Sequence, residues 1–464
     1  MPERLLITGG RVLDPANGVD LPAGDVLIED GRIVFTGDVG AHDHAPLQDM
    51  EVIDATGLIV APGFVDLHTH LREPGFEYKE TVETGTRAAA RGGFTTVCAM
   101  PNTEPAMDSR SIIEYVMRQA SETGLVRVLP IGAVTKGRAG KQLAEMGELA
   151  DAGCIGFSDD GSPVADAGIM RRALEYASTF DLPIIAHCED PQLAGGVMHE
   201  GWVSARLGLK GIPAASEENM VARDISLARE TRSTGSGQAG GHVHIAHLST
   251  AGSVELVRRA KAEGLRVTAE VTPHHLALNH EAVMYRNGDT SLLAYDTNAR
   301  MYPPLRRHED AAACLEGLLD GTIDAIATDH APHAVQEKLC EFDDAANGII
   351  GLETALSLSL GAGAPIERLV EALTIGPVRA LGLDRWAPGI GTLRLGAPAD
   401  VVLFDPAREW TVAPETIASK GKNTPVLGQT LRGVVVATVY GGSVVYEANT
   451  SYNISSSLTS GGMV

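Results

Sequence analysis

Hydrophobic positions along the chain fall into two regimes. Near both ends they form short apolar runs broken by turn residues. Val26–Phe35 reads as a hairpin, with Asp30-Gly31 supplying the positive-φ turn. Ala399–Phe404 and Val434–Tyr446 repeat that pattern toward the other end. Between about Val60 and Leu383, apolar runs alternate with segments of helical period. Eight runs have the length of buried parallel strands: Phe64–Leu67, Thr95–Met100, Val126–Ala133, Gly153–Phe157, Pro183–Ala186, Val243–Ala246, Arg266–Val271 and Ile323–Ala327. Segments between them, such as Ile112, Ile113, Tyr115 and Val116, carry apolar residues at helical spacing. Eight strand–helix units in series predict an α/β fold, a (β/α)8 TIM barrel with its chemistry at the strand C-terminal ends. The outer strands predict a small β-sandwich domain formed by both termini, residues 1–57 with 385–446, around a barrel at 58–384. Residues 447–464 are Ser/Thr/Gly-rich and read as a disordered tail, and Ser233–Gly241 as a loose loop.

Composition narrows the function. With 37 Lys and Arg against 60 Asp and Glu, the formal charge of −23 argues against nucleic acid or an anionic membrane as partner. It also sets a requirement: an anionic substrate needs a local cluster of metal or arginine to overcome the global repulsion. The five cysteines are odd in number and widely spaced, as expected of reduced, buried thiols. The start lacks a signal-peptide pattern and no apolar run is long enough to span a bilayer, so a cytoplasmic protein is expected.

The chemistry lies at the ends of the expected strands. The first ends in His68-Thr-His70, and residues two apart on a strand face one side, so both imidazoles can reach one ion. Further ligand types recur at the same level: Asp159 after the fourth strand, His187 after the fifth, His247 after the sixth and Asp329 after the eighth. Four histidines and two carboxylates at one barrel mouth point to a metal centre, with zinc favoured. Six ligands exceed what one catalytic zinc uses, so one or two ions are expected. A bridging group is then required. Asp159 is the candidate, and Lys136, if carbamylated, its rival. Asp160, His244 and His330 alternate away from the ligand-facing residues and are expected to hydrogen-bond behind them. His274 and His275 stand between that role and packing, and His42 and His44 have no spacing to recommend them.

His68-Thr-His-Leu-Arg-Glu-Pro-Gly75, Lys79-Glu-Thr81, Gly92-Gly-Phe-Thr-Thr96, Met100-Pro-Asn-Thr103, Phe157-Ser-Asp-Asp-Gly161 and Thr328-Asp-His-Ala-Pro-His333 together resemble the dihydroorotases. The subgroup resembled has an aspartate, not a carboxylated lysine, as its metal bridge. The resemblance implies that His68, His70, Asp159, His187, His247 and Asp329 bind metal. It also implies that Arg72, Asn102 and His333 hold the substrate carboxylate, and that Asp329 moves the proton between attacking water and ring nitrogen. Independently, Arg72 beside the histidines offers a two-pronged fork for a carboxylate; the competing reading is a salt bridge to Glu73. Two departures fall on the pocket wall. Tyr302 stands where such proteins commonly have Asn, and Ala346-Asn347-Gly348 where they carry Pro-Phe-Gly.

The expected partner is thus a small-molecule substrate, N-carbamoyl-L-aspartate or dihydroorotate. A homo-oligomer is expected, with aspartate transcarbamoylase as a candidate protein partner. Another ring opener on the same scaffold (a hydantoinase, dihydropyrimidinase or allantoinase) is the nearest alternative. A catalytically silent scaffold is the second.

Overall fold

The computed structural model describes residues 4–38, 50–231, 240–285 and 294–448, and the backbone of 454–455. Its centre is a closed ring of parallel strands. Phe64–Thr69 pairs with Phe94–Ala99, and that strand with Arg127–Pro130. Ile184–Ala186 pairs with Val243–Ile245, followed by Val267–Val271 and Ala325–Ile326. The fourth expected strand, Gly153–Phe157, shrinks to a single bridging residue. Phe157 bridges both Gly132 and Ile184. Prolines explain the reduction: Pro130 and Pro183 on the flanking strands have no N–H to give, and they serve only as acceptors, from Ile155 and Phe157. The ring closes where Thr69 bridges His330 and the His70 N–H donates to the His330 carbonyl at 2.9 Å.

Alternation along the strands divides the core. Val65, Leu67, Cys98, Met100, Ile131 and Ile185 share one buried cluster that includes Ala325 and Ala327. Phe64, Phe94, Val97 and Phe157 belong to another, together with helix residues such as Ala88, Ile113 and Leu174. Helices begin where capping groups fall, as at Thr250, whose side chain accepts from the Ser253 N–H to start Ala251–Ala262.

A second sheet joins the two ends of the chain. In order it runs Ser443–Glu447, Thr430–Tyr440, Val401–Thr411, Ile59–Pro62, Arg4–Asp14, Val19–Glu29, Arg32–Asp38. The hairpin turn lies at Asp30 (φ 48°) and Gly31 (φ 73°). The sheet takes in Ile59–Pro62, beyond the expected limit at residue 57. The expectation of a disordered stretch from 447 is corrected in two places. Glu447 ends a strand, and Ile454–Ser455 pairs antiparallel with Val52 and Ile53, where the strand Glu51–Asp54 offers an open edge. The remainder of that stretch, His42, His44 and residues 233–239 lie outside the described residues. Four cysteines are buried and free as expected, whereas Cys340 is exposed. No helix among the described residues is long and apolar enough to cross a membrane.

Candidate metal centre

His68 and His70 leave the first barrel strand on the same side. The Asp329 Oδ1 atom lies 2.9 Å from His70 Nε2 and 3.5 Å from His68 Nε2. Across the mouth, His187 Nδ1 and His247 Nε2 are 2.8 Å apart. Asp160 stands between these groups. Its Oδ1 is 3.3 Å from His68 Nε2, 3.4 Å from His187 Nδ1 and 3.5 Å from His247 Nε2. Its Oδ2 is 3.5 Å from His70 Nε2. All six side chains are buried.

The structure turns Asp159, the expected bridging ligand, away from the histidines and puts Asp160 among them. Asp159 Oδ1 accepts from the backbone N–H groups of Val134 and Thr135 at 2.9 and 3.0 Å, and Oδ2 from the Thr135 hydroxyl. It braces the loop after the third strand and is turned from the histidines. The alternation rule failed because the chain leaves the sheet immediately after Phe157. There the Ser158 hydroxyl accepts from the Asp160 N–H at 3.1 Å and turns the next carboxylate inward. Lys136 is no rival: its ammonium is nearly half exposed, 3.3 Å from Glu145.

The residues fit a metal. His68 Nε2, His187 Nε2 and Asp160 Oδ1 are buried with no hydrogen-bond partner among the described residues. Buried polar atoms left without a partner are costly, and a cation is the natural recipient of these lone pairs. Neutral imidazoles and carboxylates suit a zinc-like divalent ion.

Behind the ligands runs a polar column in which His244 stands as expected, but whose centre, Glu270, the sequence reading missed. Glu270 accepts from His68 Nδ1 at 2.7 Å and from His244 Nε2 at 3.1 Å. Assigning Nδ1–H to His68 in this way leaves its Nε2 lone pair facing the cluster. His244 Nδ1 and His242 Nε2 each lie 2.9 Å from the Thr268 hydroxyl. Burial favours protonation of Glu270, but the donors His244 and His68 outweigh it and hold the carboxyl down to about 2. The available signal was a charged residue inside the otherwise core-like run Val267-Thr-Ala-Glu-Val271. A second brace comes from Asp66, which accepts from the Thr328 N–H and hydroxyl at 2.7 and 2.6 Å and so fixes the residue before Asp329. His330 lies behind the cluster as expected, 3.4 Å from Glu80. His275 is held between Thr272 and the Pro303 carbonyl, while His274 Nε2 is buried without a partner among the described residues.

A cavity of about 270 Å³ opens beside the cluster. Arg72 enters it from a left-handed backbone (φ 63°), with Nε 3.3 Å from the Pro332 carbonyl and one terminal nitrogen 3.4 Å from His333 Nε2. It does not pair with Glu73, whose oxygens accept from the Val82 N–H and the Tyr115 hydroxyl. Asn102 accepts from His70 Nδ1 at 2.8 Å through its amide oxygen. His333 donates from Nε2 to the Asn347 carbonyl at 2.8 Å; burial, with Arg72 and Lys79 nearby, lowers its pKa to about 3. The Tyr302 hydroxyl donates to the Gly196 carbonyl at 3.0 Å, and the Asn347 amide oxygen accepts from Arg300 Nε at 3.0 Å. Gly348 (φ 139°) has no room for a side chain, since a Cβ would fall 2.7 Å from that of Ala331. Arg138, which the sequence reading passed over, also borders this cavity.

Comparison with known proteins agrees with this geometry. Residues 57–253 match the family model described as dihydro-orotase-like. A dihydroorotase of Anaeromyxobacter sp. (strain K) is 53% identical over 452 residues, covering 96% of this chain and 99% of that protein. One from Pelotomaculum thermopropionicum is 51% identical over 451 residues, with the same coverage. The chain belongs to the dihydroorotase family. Solved structures place this family member on a familiar scaffold. L-hydantoinase from Arthrobacter aurescens superposes with a TM-score of 0.80 at 25% identity, over 96% of each chain. Dihydropyrimidinase from Brevibacillus agri gives 0.78 at 22% identity, over 96% of this chain and 95% of that one. These neighbours confirm the TIM barrel with its accompanying β-sandwich.

Proposed function

We propose that the chain is a dihydroorotase that closes N-carbamoyl-L-aspartate into dihydroorotate and opens it again, with zinc ions that Asp160 and the histidines around it would hold. The observation that carries this reading is the position of Asp160, with one oxygen toward His187 and His247 and the other toward His70. Arg72 stands in the adjoining cavity with no carboxylate partner of its own among the described residues. His68, His70, His187, His247, Asp160 and Asp329 would hold the ions. Bound there, divalent ions supply an activated water near neutral pH and polarise a carbonyl oxygen.

The chain's own groups do the rest. Arg72, with the Asn102 amide and His333, holds the substrate carboxylate and orients the ring amide toward the cluster. Asp329 accepts the proton of the attacking water, then delivers it to the departing ring nitrogen. In the closing direction it takes the proton from the ureido nitrogen. Zinc as the ion, two per chain, self-association, a cytoplasmic site of action and docking to aspartate transcarbamoylase belong to the same proposal. The donor chemistry supports the first two.

The test is one preparation analysed for metal and assayed with four rings. Close to two zinc per chain, turnover of dihydroorotate, and little with dihydrouracil, hydantoin or allantoin are expected. Preference for an uncharged ring would overturn the assignment of Arg72 and favour a hydantoinase-type activity.

A further inference from the structure

We infer that Lys338 is a positioning residue for substrate recognition: its ammonium pins the cavity wall formed by Asn347 and Gly348, against which His333 is held. The inference rests on the dihydroorotase reading. Lys338 ends the short helix Val335–Lys338 and stands behind that wall, not among the residues that line the cavity.

Its side chain is buried, which is uncommon for a lysine. An ammonium has three N–H donors and no acceptor. Here all three donate to backbone carbonyls, those of Thr297 at 3.0 Å, Arg300 at 3.1 Å and Ala346 at 2.6 Å. The Arg300 carbonyl also accepts from the Gly348 N–H at 3.0 Å, and Arg300 Nε donates to the Asn347 amide oxygen at 3.0 Å. The Asn347 carbonyl in turn accepts from His333 Nε2 at 2.8 Å. One ammonium thus joins the two segments that set the positions of Asn347 and Gly348, and through Asn347 that of His333. All three line the cavity.

This fixture depends on charge. Burial, with Arg300 nearby, lowers the ammonium to about 7, while Asp296, Cys340 and Glu337 act in the opposite direction. His333, whose own pKa the ammonium helps to lower, and Lys422, which borders the same groove as Lys338, are the other titratable groups around it. A neutral amine has two N–H groups and a lone pair, and that lone pair faces one of the three carbonyls. One hydrogen bond is then replaced by repulsion between lone pairs, so the wall loosens as pH rises through about 7. The wall lies with His333 on the carboxylate side of the cavity. Its contribution is to holding the substrate, not to the chemistry at the ions.

The experiment is steady-state kinetics in both directions on wild type and Lys338→Met between about pH 6 and 9, with amide hydrogen exchange of residues 346–350 followed in wild type. At pH 6 the variant's KM is expected to be about tenfold higher for dihydroorotate and N-carbamoyl-aspartate alike, with kcat within about twofold. Equal changes are required, because the substrates alone fix the equilibrium constant. The ratio of the two proteins' KM values cancels the groups that titrate in both. It is expected to fall from about ten at pH 6 to below about three at pH 9, where wild type has lost the same charge. A lysine that serves stability alone lowers kcat through the active fraction, or gives a ratio constant with pH. Either result overturns the inference, as does an unchanged KM. If Lys338→Met is insoluble, wild type alone carries the test. Protection of the Gly348 amide, corrected for the intrinsic pH dependence of exchange, should drop about tenfold over the same range, and unchanged protection overturns the inference. Wild-type protein inactive on both substrates would instead sink the dihydroorotase reading, with the exchange result left to judge Lys338.

Discussion

Among the described residues, Asp160 is the one carboxylate that faces four imidazoles at once, and its neighbour Asp159 is as firmly occupied elsewhere. Asp160→Ala is therefore expected to lose most bound metal and with it all measurable turnover. Asp159→Ala is expected to keep substantial metal while loosening the Thr135 loop. Elemental analysis of the two purified variants separates them, and the opposite ranking would return the bridge to Asp159. Glu270 acts one layer back. Glu270→Gln removes the charge that fixes the tautomer of His68, and metal affinity should fall about ten- to hundredfold, read by chelator competition. The ligand types and their strand ends were legible in the sequence because His-x-His and the later His and Asp residues obey strand periodicity. The choice between two adjacent aspartates was not, because it depends on where the chain leaves the sheet. Glu270 was hidden for a different reason: its partner His68 is 202 positions away.

At the scale of the element, seven of the eight expected strands form hydrogen-bonded runs, and the eighth survives as the Phe157 bridge. Apolar content reveals which segments are buried, whereas the length of a ladder depends on the neighbours' N–H groups, which Pro130 and Pro183 withhold. The long helix Ala215–Thr231 packs its inner face on the barrel and buries Asp224 there. Burial raises the Asp224 carboxyl to about 6, although Arg223 donates to it at 2.8 Å. Since the folded pKa lies above the ordinary value near 3.8, the folded state holds this proton more tightly. The resulting stabilisation is complete below about 4 and is lost as pH rises through 6, a span of about 3 kcal/mol. Asp224→Asn cannot titrate. Its stability relative to wild type, from urea midpoints, is expected to improve steadily between pH 4 and 6 and then level off. A pH-independent difference would place the carboxyl pKa near its ordinary value.

Taken whole, the molecule is less divisible than its two sheets suggest. The strand Val401–Thr411 belongs to the terminal sheet, yet Val402 and Phe404 share a buried cluster with Phe64 and Phe94 of the barrel. The Phe64 and Phe404 rings lie 6.0 Å apart, and the Thr438 hydroxyl donates to the Ala90 carbonyl at 2.7 Å. Sequence pattern separated the two regions because their periodicities differ, but it carries no information on which faces meet. Phe404 tests the coupling directly, because it is far from the metal ligands in the chain and contributes no polar group. Phe404→Ala empties a ring-sized space at the junction and should cost about 3–5 kcal/mol of stability. If the terminal sheet were an independent unit, the loss would appear as a separate early unfolding transition, with the barrel melting as before. With a shared core, calorimetry should show the whole molecule unfolding together at lower temperature, while kcat and KM measured well below that temperature stay within about twofold of wild type.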